Sequence, residues 1–160
     1  MKKFAGSSIA ILVAVSILMT LHFAAAAFKP GTNSSFDWVS IDGLFEILKS
    51  NTRPVLIYGY TSKEENYSFA FEISIFPNKS VQTYAKQFVC VKLNLDDPKM
   101  VSSVSSAIKE ISGDPVTFPS TTFVRLLTKN CKEAFNIDKS MDPETFGSFL
   151  QQTLDKNNTP

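Results

Sequence analysis

The side chains able to do chemistry are few, and their spacing narrows them further. The 160 residues contain one histidine, His22, in an apolar N-terminal segment that reads as a removable leader. Without it the chain lacks both the usual general base and the commonest metal ligand. Two cysteines, Cys90 and Cys131, are too few for a disulfide framework and do not have metal-site spacing. The densest polar run is Thr61-Ser62-Lys63-Glu64-Glu65-Asn66-Tyr67-Ser68. There Glu64, Glu65, Tyr67 and Ser68 could line a binding face, or serve only as the polar start of a helix whose positive end attracts both carboxylates. Ser68 makes a poor nucleophile, because no histidine can take its proton and Phe71 stands where a Ser-x-x-Lys pair would need lysine. Cys131 lies among Lys129, Asn130 and Lys132, whose charge would lower a thiol pKa. It reads either as an inert turn residue or as a thiol for intermolecular pairing. Cys90 reads as a small core residue. No catalytic residue, metal site or cofactor motif is indicated.

The first segment has Lys2 and Lys3, an apolar run over residues 9–21 and a small-residue tract from Ala24 to Ala27, the order of a secretory signal. Cleavage is expected near Ala26 or Ala27, so residues 1–27 are assigned to a signal peptide. The alternative is a retained membrane anchor over residues 9–28, about the 20 residues a spanning helix needs. Either way the remainder is exported, to a periplasm or to the outside. The Met1-Lys2-Lys3 start has a bacterial style. Sequons at Asn33, Asn66 and Asn78 do not establish a eukaryotic route, because nine asparagines in this Ser/Thr-rich chain give about two by chance. Removing residues 1–27 leaves 133, a usual size for one domain with one core, and takes the net charge from +1 to −1. That balance favours neither nucleic acid nor an anionic membrane surface as partner.

The elements that would position the polar run follow from periodicity. Residues 28–37 are polar, contain Gly, Pro and Ser, and read as a flexible leader. Ser40 can cap a helix over 41–49, and Val55-Leu56-Ile57-Tyr58 reads as a strand buried on both faces. Over 68–76 two patterns compete: Phe69, Phe71, Ile73 and Ile75 alternate as in a strand, while Phe71, Ile75 and Phe76 share one side of a helix. A short helix over 81–87, a strand over 88–95 and a helix from Lys99 stopped by Gly113-Asp114-Pro115 come next. A hairpin joins strands 121–127 and 133–137, and Asp142-Pro143-Glu144 opens a last helix. Residues 155–160 should fray.

Helix, strand, helix, strand, helix, strand, strand, helix makes an α/β sheet with an antiparallel pair at one end. In that order Arg53-Pro54-Val55-Leu56-Ile57-Tyr58, Val91-Lys92-Leu93-Asn94-Leu95-Asp96, Phe76-Pro77-Asn78 and Phe118-Pro119-Ser120 are spaced as in one known family. The chain resembles the thioredoxin-like superfamily, in particular exported members. The resemblance implies a three-layer sandwich, a central mixed sheet of four to five strands flanked by helices, over residues 38–154. Over 68–76, where the local pattern leans to strand, it leans to helix, and it implies that Phe118-Pro119 is the family's cis-proline.

Two alignment frames put the family's Cys-x-x-Cys at Glu65 to Ser68 or at Glu64 to Tyr67, and both lack cysteine. Gly59 and Tyr60 stand where many redox members keep a buried acid. Without an attacking thiolate there is no disulfide exchange. In the implied topology Cys90 and Cys131 flank the central strand with Cα atoms roughly 9–10 Å apart, too far for a disulfide. The expectation is a redox-inactive thioredoxin-fold protein that binds a protein or peptide, with Glu64, Glu65, Tyr67, Ser68, Phe118 and Pro119 as candidate contacts. The family's β-addition mode beside Pro119 does not need the cysteines. The alternative is an enzyme binding glutathione or another thiol, with Tyr60, Tyr67 or Ser68 as hydroxyl donor.

Overall fold

In a computed structural model, residues 36–139 and 141–158 are described. In chain order the elements are β1 (Trp38–Val39), α1 (Leu44–Ser50), β2 (Val55–Tyr60), a 3-10 turn (Ser62–Glu64), α2 (Glu65–Ala70) continuing into a π turn (Phe71–Ile75), α3 (Lys79–Ala85), β3 (Val89–Asn94), α4 (Pro98–Ser112), β4 (Phe123–Leu127), β5 (Glu133–Ile137) and α5 (Pro143–Asn158). The five strands form one mixed sheet in the order β1-β3-β2-β4-β5. β1 and β2 run parallel to β3, while β4 runs antiparallel to β2 and to β5. β1, two residues long, is the strand that sequence periodicity did not anticipate.

β2 is central, and its first five residues are buried, which explains its continuous apolar reading. Alternate side chains of the sheet feed two cores. Leu56, Tyr58, Cys90, Val124 and Leu126 pack with Phe71, Ile75, Phe76, Val81, Phe146 and Leu150 from the helices on one face. Val55, Ile57, Val89, Val91, Leu93, Phe123 and Leu127 pack with Leu44, Leu48, Val104 and Ile108 of α1 and α4 on the other. The first core is aromatic: Tyr58 lies 5.0 Å from Phe76 and 5.9 Å from Phe71, between ring centroids. Each such fully buried side chain contributes about 1.5–3 kcal/mol over leaving it exposed.

The 68–76 segment is helical, not a strand. Phe71 and Ile75, one turn apart, are buried, whereas Phe69 and Ile73, also one turn apart, are 48% and 46% exposed. Alternation at period two therefore conceals two helical pairs. The π turn closes with the Phe76 N–H donating to the Phe71 carbonyl at 2.9 Å, and its extra residue lets Phe71, Ile75 and Phe76 all reach the first core.

Three expected boundaries shift. Phe36, placed in the leader, is 4% exposed and stacks on Trp38. Residues 155–158, expected to fray, extend α5, because Asn157 is buried, accepting from the Lys129 N–H at 2.6 Å and donating to the Thr52 carbonyl at 3.2 Å. β4 starts at Phe123, two residues after the expected strand start. No helix among the described residues is long and apolar enough to cross a membrane. The expected signal peptide or anchor, the sequon at Asn33 and the last two residues of the tail lie outside the described residues.

Pro119 is not a cis-proline: no cis peptide bond occurs among the described residues. A trans X-Pro bond is the favoured isomer unless the surroundings impose the other. Here Thr121 and Thr122 separate Ser120 from β4, so Pro119 sits out in the 113–122 loop rather than at the sheet's entrance. Phe118 is held down on the second core, stacked on Phe123 at 5.6 Å with the Arg125 guanidinium 5.3 Å from its ring centroid. Arg125 also donates to the Thr117 carbonyl at 3.0 Å and pairs with Glu133 at 3.1 Å.

Candidate functional site

The parallel strands β2 and β3 end at Tyr60 and Asn94, and antiparallel β4 begins beside them at Phe123, paired with Gly59. Carboxyl ends of parallel strands are where open α/β sheets leave room for ligands. Gly59 is required there by close approach, because a β-carbon would overlap the Phe123 ring. The chain then turns through Thr61, Ser62 and Lys63 into α2, so the whole polar run lies at this end of the sheet.

Asp96, just past β3, organises the turn. Its Oδ2 accepts from the backbone N–H and the hydroxyl of Ser62, both at 2.8 Å, and its Oδ1 accepts from the Thr61 hydroxyl at 2.9 Å. The Ser62 N–H, the Ser62 and Thr61 hydroxyls and the charge of Lys63 hold the Asp96 carboxyl below the usual carboxylate range. Thr61 Oγ1 in turn accepts from the Lys63 N–H at 3.3 Å.

A second set of bonds ties α2 to the entry of β4. Glu64 Oε2 accepts from the Thr122 N–H at 2.7 Å, a charge-assisted bond to a residue only 3% exposed. The Ser68 and Thr122 hydroxyls lie 3.3 Å apart, and the Tyr58 hydroxyl donates to the Ser68 carbonyl at 3.3 Å. Burial raises the pKa of Tyr58 well above the ordinary phenol range, so this hydroxyl stays protonated. Lys92, on β3, pairs with Glu72 at 2.8 Å and lies 5.0 Å from the Tyr60 ring centroid.

Of the candidate residues, Glu64 and Ser68 are brought together, on Thr122. Tyr67 is 48% exposed at the start of α2. Glu65 opens α2 with its backbone, and its side chain lies outside the described residues. Phe118 and Pro119 are not part of this group: Phe118 packs against the second core, whereas Tyr58, which reaches Ser68, belongs to the first. Sequence reasoning missed Asp96, Thr61, Ser62 and Thr122 as members. The available signal was position: an Asp just after one strand and two threonines just before another.

The thiols stand apart from this group. Cys90 faces the first core and Cys131 the second, so they lie on opposite sides of the sheet. Burial pushes Cys90 up to about 12 and Cys131 up to about 11. The lysines beside Cys131 therefore do not activate it. Its backbone, at φ +56, makes the hairpin turn, and the thiol points inward. What this end of the sheet offers chemically is hydrogen-bonding hydroxyls, carboxylates and exposed apolar side chains on α2, with no thiolate.

No protein-family model matches the chain, and no curated protein matches it. Among solved structures it is similar to the solution structure of a thioredoxin from Thermus thermophilus, at 16% sequence identity and a TM-score of 0.59, over 78% of this chain and 91% of that one.

Proposed function

From the premise that this chain has a thioredoxin-like fold, we propose that it is an exported, redox-inactive binding protein that holds a protein or peptide segment against α2. One observation carries the reading. Where the polar run enters α2, hydroxyls and carboxylates are engaged with one another, while Tyr67, Phe69 and Ile73 of the same helical segment stand 48%, 48% and 46% exposed. Large apolar side chains gathered on one exposed segment mark contact surfaces more often than isolated ones do. Of the six candidate contacts, the reading rests on those of the α2 segment rather than on Phe118 and Pro119.

Both halves of the reading are testable. The protein should not reduce insulin, and a Cys90→Ser, Cys131→Ser variant should behave like the parent; turnover in either protein would overturn redox inactivity. Photo-crosslinking from position 66, in the exported fraction, should capture discrete partners. A Tyr67→Ser, Phe69→Ser, Ile73→Ser variant with unchanged far-UV circular dichroism should lose them, and retention of the same partners would reject the α2 face. N-terminal sequencing of the exported protein should begin after residue 26 or 27.

A further inference from the structure

Between α3 and α5 lies a cleft of about 680 Å³, within the range of small-molecule sites. Its walls carry Asn78, Ser80 and Tyr84 on one side and Glu144, Gly147 and Gln152 on the other. Asn78 uses its Oδ1 to cap α3, accepting from the N–H groups of Ser80 and Val81, which leaves its amide nitrogen over. The hydroxyls of Ser80 and Tyr84, the Glu144 carboxylate and the Gln152 amide have no hydrogen-bond partner among the described residues. Gly147 lies against Tyr84, whose ring a β-carbon there would meet at an ordinary contact distance of 3.8 Å.

We propose that this cleft binds a neutral saccharide. The lining supplies both donors and acceptors, which suits hydroxyl groups that both donate and accept. Tyr84 brings an aromatic ring to the lining, and aromatic rings pack well against the weakly positive C–H groups of a pyranose. An anionic ligand is disfavoured by Glu144 and by the lack of any Lys or Arg in the lining. An apolar ligand would bury the five polar groups unpaired. The inference uses no residue of the α2 face, so either can fail without the other.

The test is amide chemical-shift titration of the full chain with cellobiose and with N,N′-diacetylchitobiose, using glucose 6-phosphate as the charged control. At least one disaccharide should give saturable shifts at Ser80, Tyr84, Gly147 and Gln152 in the millimolar range, and glucose 6-phosphate should bind more weakly. Gln152→Ala and Glu144→Gln should each weaken the disaccharide about fivefold with an unchanged melting temperature. No saturable shift with either disaccharide, tighter binding of glucose 6-phosphate, or unchanged affinity in both variants would overturn the proposal.

Discussion

The end of the sheet around β2 and α2 and the cleft between α3 and α5 are both rich in polar side chains, yet they use them in opposite ways. At the sheet's end Thr61, Ser62, Glu64, Ser68, Asp96 and Thr122 bond to one another. In the cleft the side chains of Ser80, Tyr84, Glu144 and Gln152 have no hydrogen-bond partner among the described residues. A polar group that already has its partner contributes to holding the fold, and recruiting it for a ligand first costs that bond. A group without one is available. The presence of polar residues therefore says less about ligand binding than the state of their hydrogen bonds.

Substitutions at the two places should separate accordingly. The largest loss is expected for Gly59→Ala, whose methyl would overlap the Phe123 ring. That ring is stacked on Phe118 and lies beside the Arg125 guanidinium, so overpacking should cost about 3 kcal/mol in urea denaturation. A cost below that of an ordinary surface change would mean that the loop above Phe123 yields freely. Glu64→Ala should cost about 2 kcal/mol by stranding the Thr122 N–H, whereas Glu64→Gln, which keeps an acceptor, should recover most of it. Equal losses in the two variants would assign the effect to charge rather than to the bond.

Acid titration sharpens the comparison at lower amplitude. The Asp96 carboxyl is held below its usual range in the folded state. Its stabilising contribution is therefore fully present above the ordinary aspartate pKa of about 3.9 and is lost as pH falls through the lower, folded value. Asp96→Asn should flatten that acid limb, and thermal melts between neutral and strongly acid pH would show whether it does. Asp142 is lowered too, by the Thr145 hydroxyl and N–H, so part of the limb should survive. The smallest change is expected in the cleft, where Gln152→Ala should leave stability within about 0.5 kcal/mol. A clear loss there would erase the distinction between the two regions.

Most of the architecture was legible in the sequence because burial imposed a clean period. Val89, Val91 and Leu93 face one core and Cys90 the other, as the alternation in β3 implied, and β5 spans the five residues expected. The segment entering the first core was misleading locally because Phe69 and Ile73 are apolar yet exposed, so the exposed face imitated the buried one. Phe118-Pro119-Ser120 suggested a cis-proline from its spacing, but local spacing does not encode the two threonines' worth of slack before β4 or the Arg125 contact that fixes Phe118. The candidate site was half visible. Glu64 and Ser68 were singled out, whereas Thr122 and Asp96 became members only through contacts across 58 and 34 residues of chain, which no local pattern reports.

The π turn at Phe71–Ile75 carries a historical implication. A widened turn inside a helix is the least disruptive way for a chain to accommodate one added residue, since the flanking turns keep their own phase and the surplus is absorbed locally. Ancestral or sister sequences with an ordinary helix here should be one residue shorter between the equivalents of Tyr67 and Asn78, with alignment gaps falling inside Phe71–Ile75. Deleting Ser74, an exposed residue of the turn, would recreate that shorter form, with Ile75 and Phe76 falling three and four positions after Phe71 and so on the same face of an ordinary helix. The deletion would thus report whether the added residue is tolerated or has become indispensable.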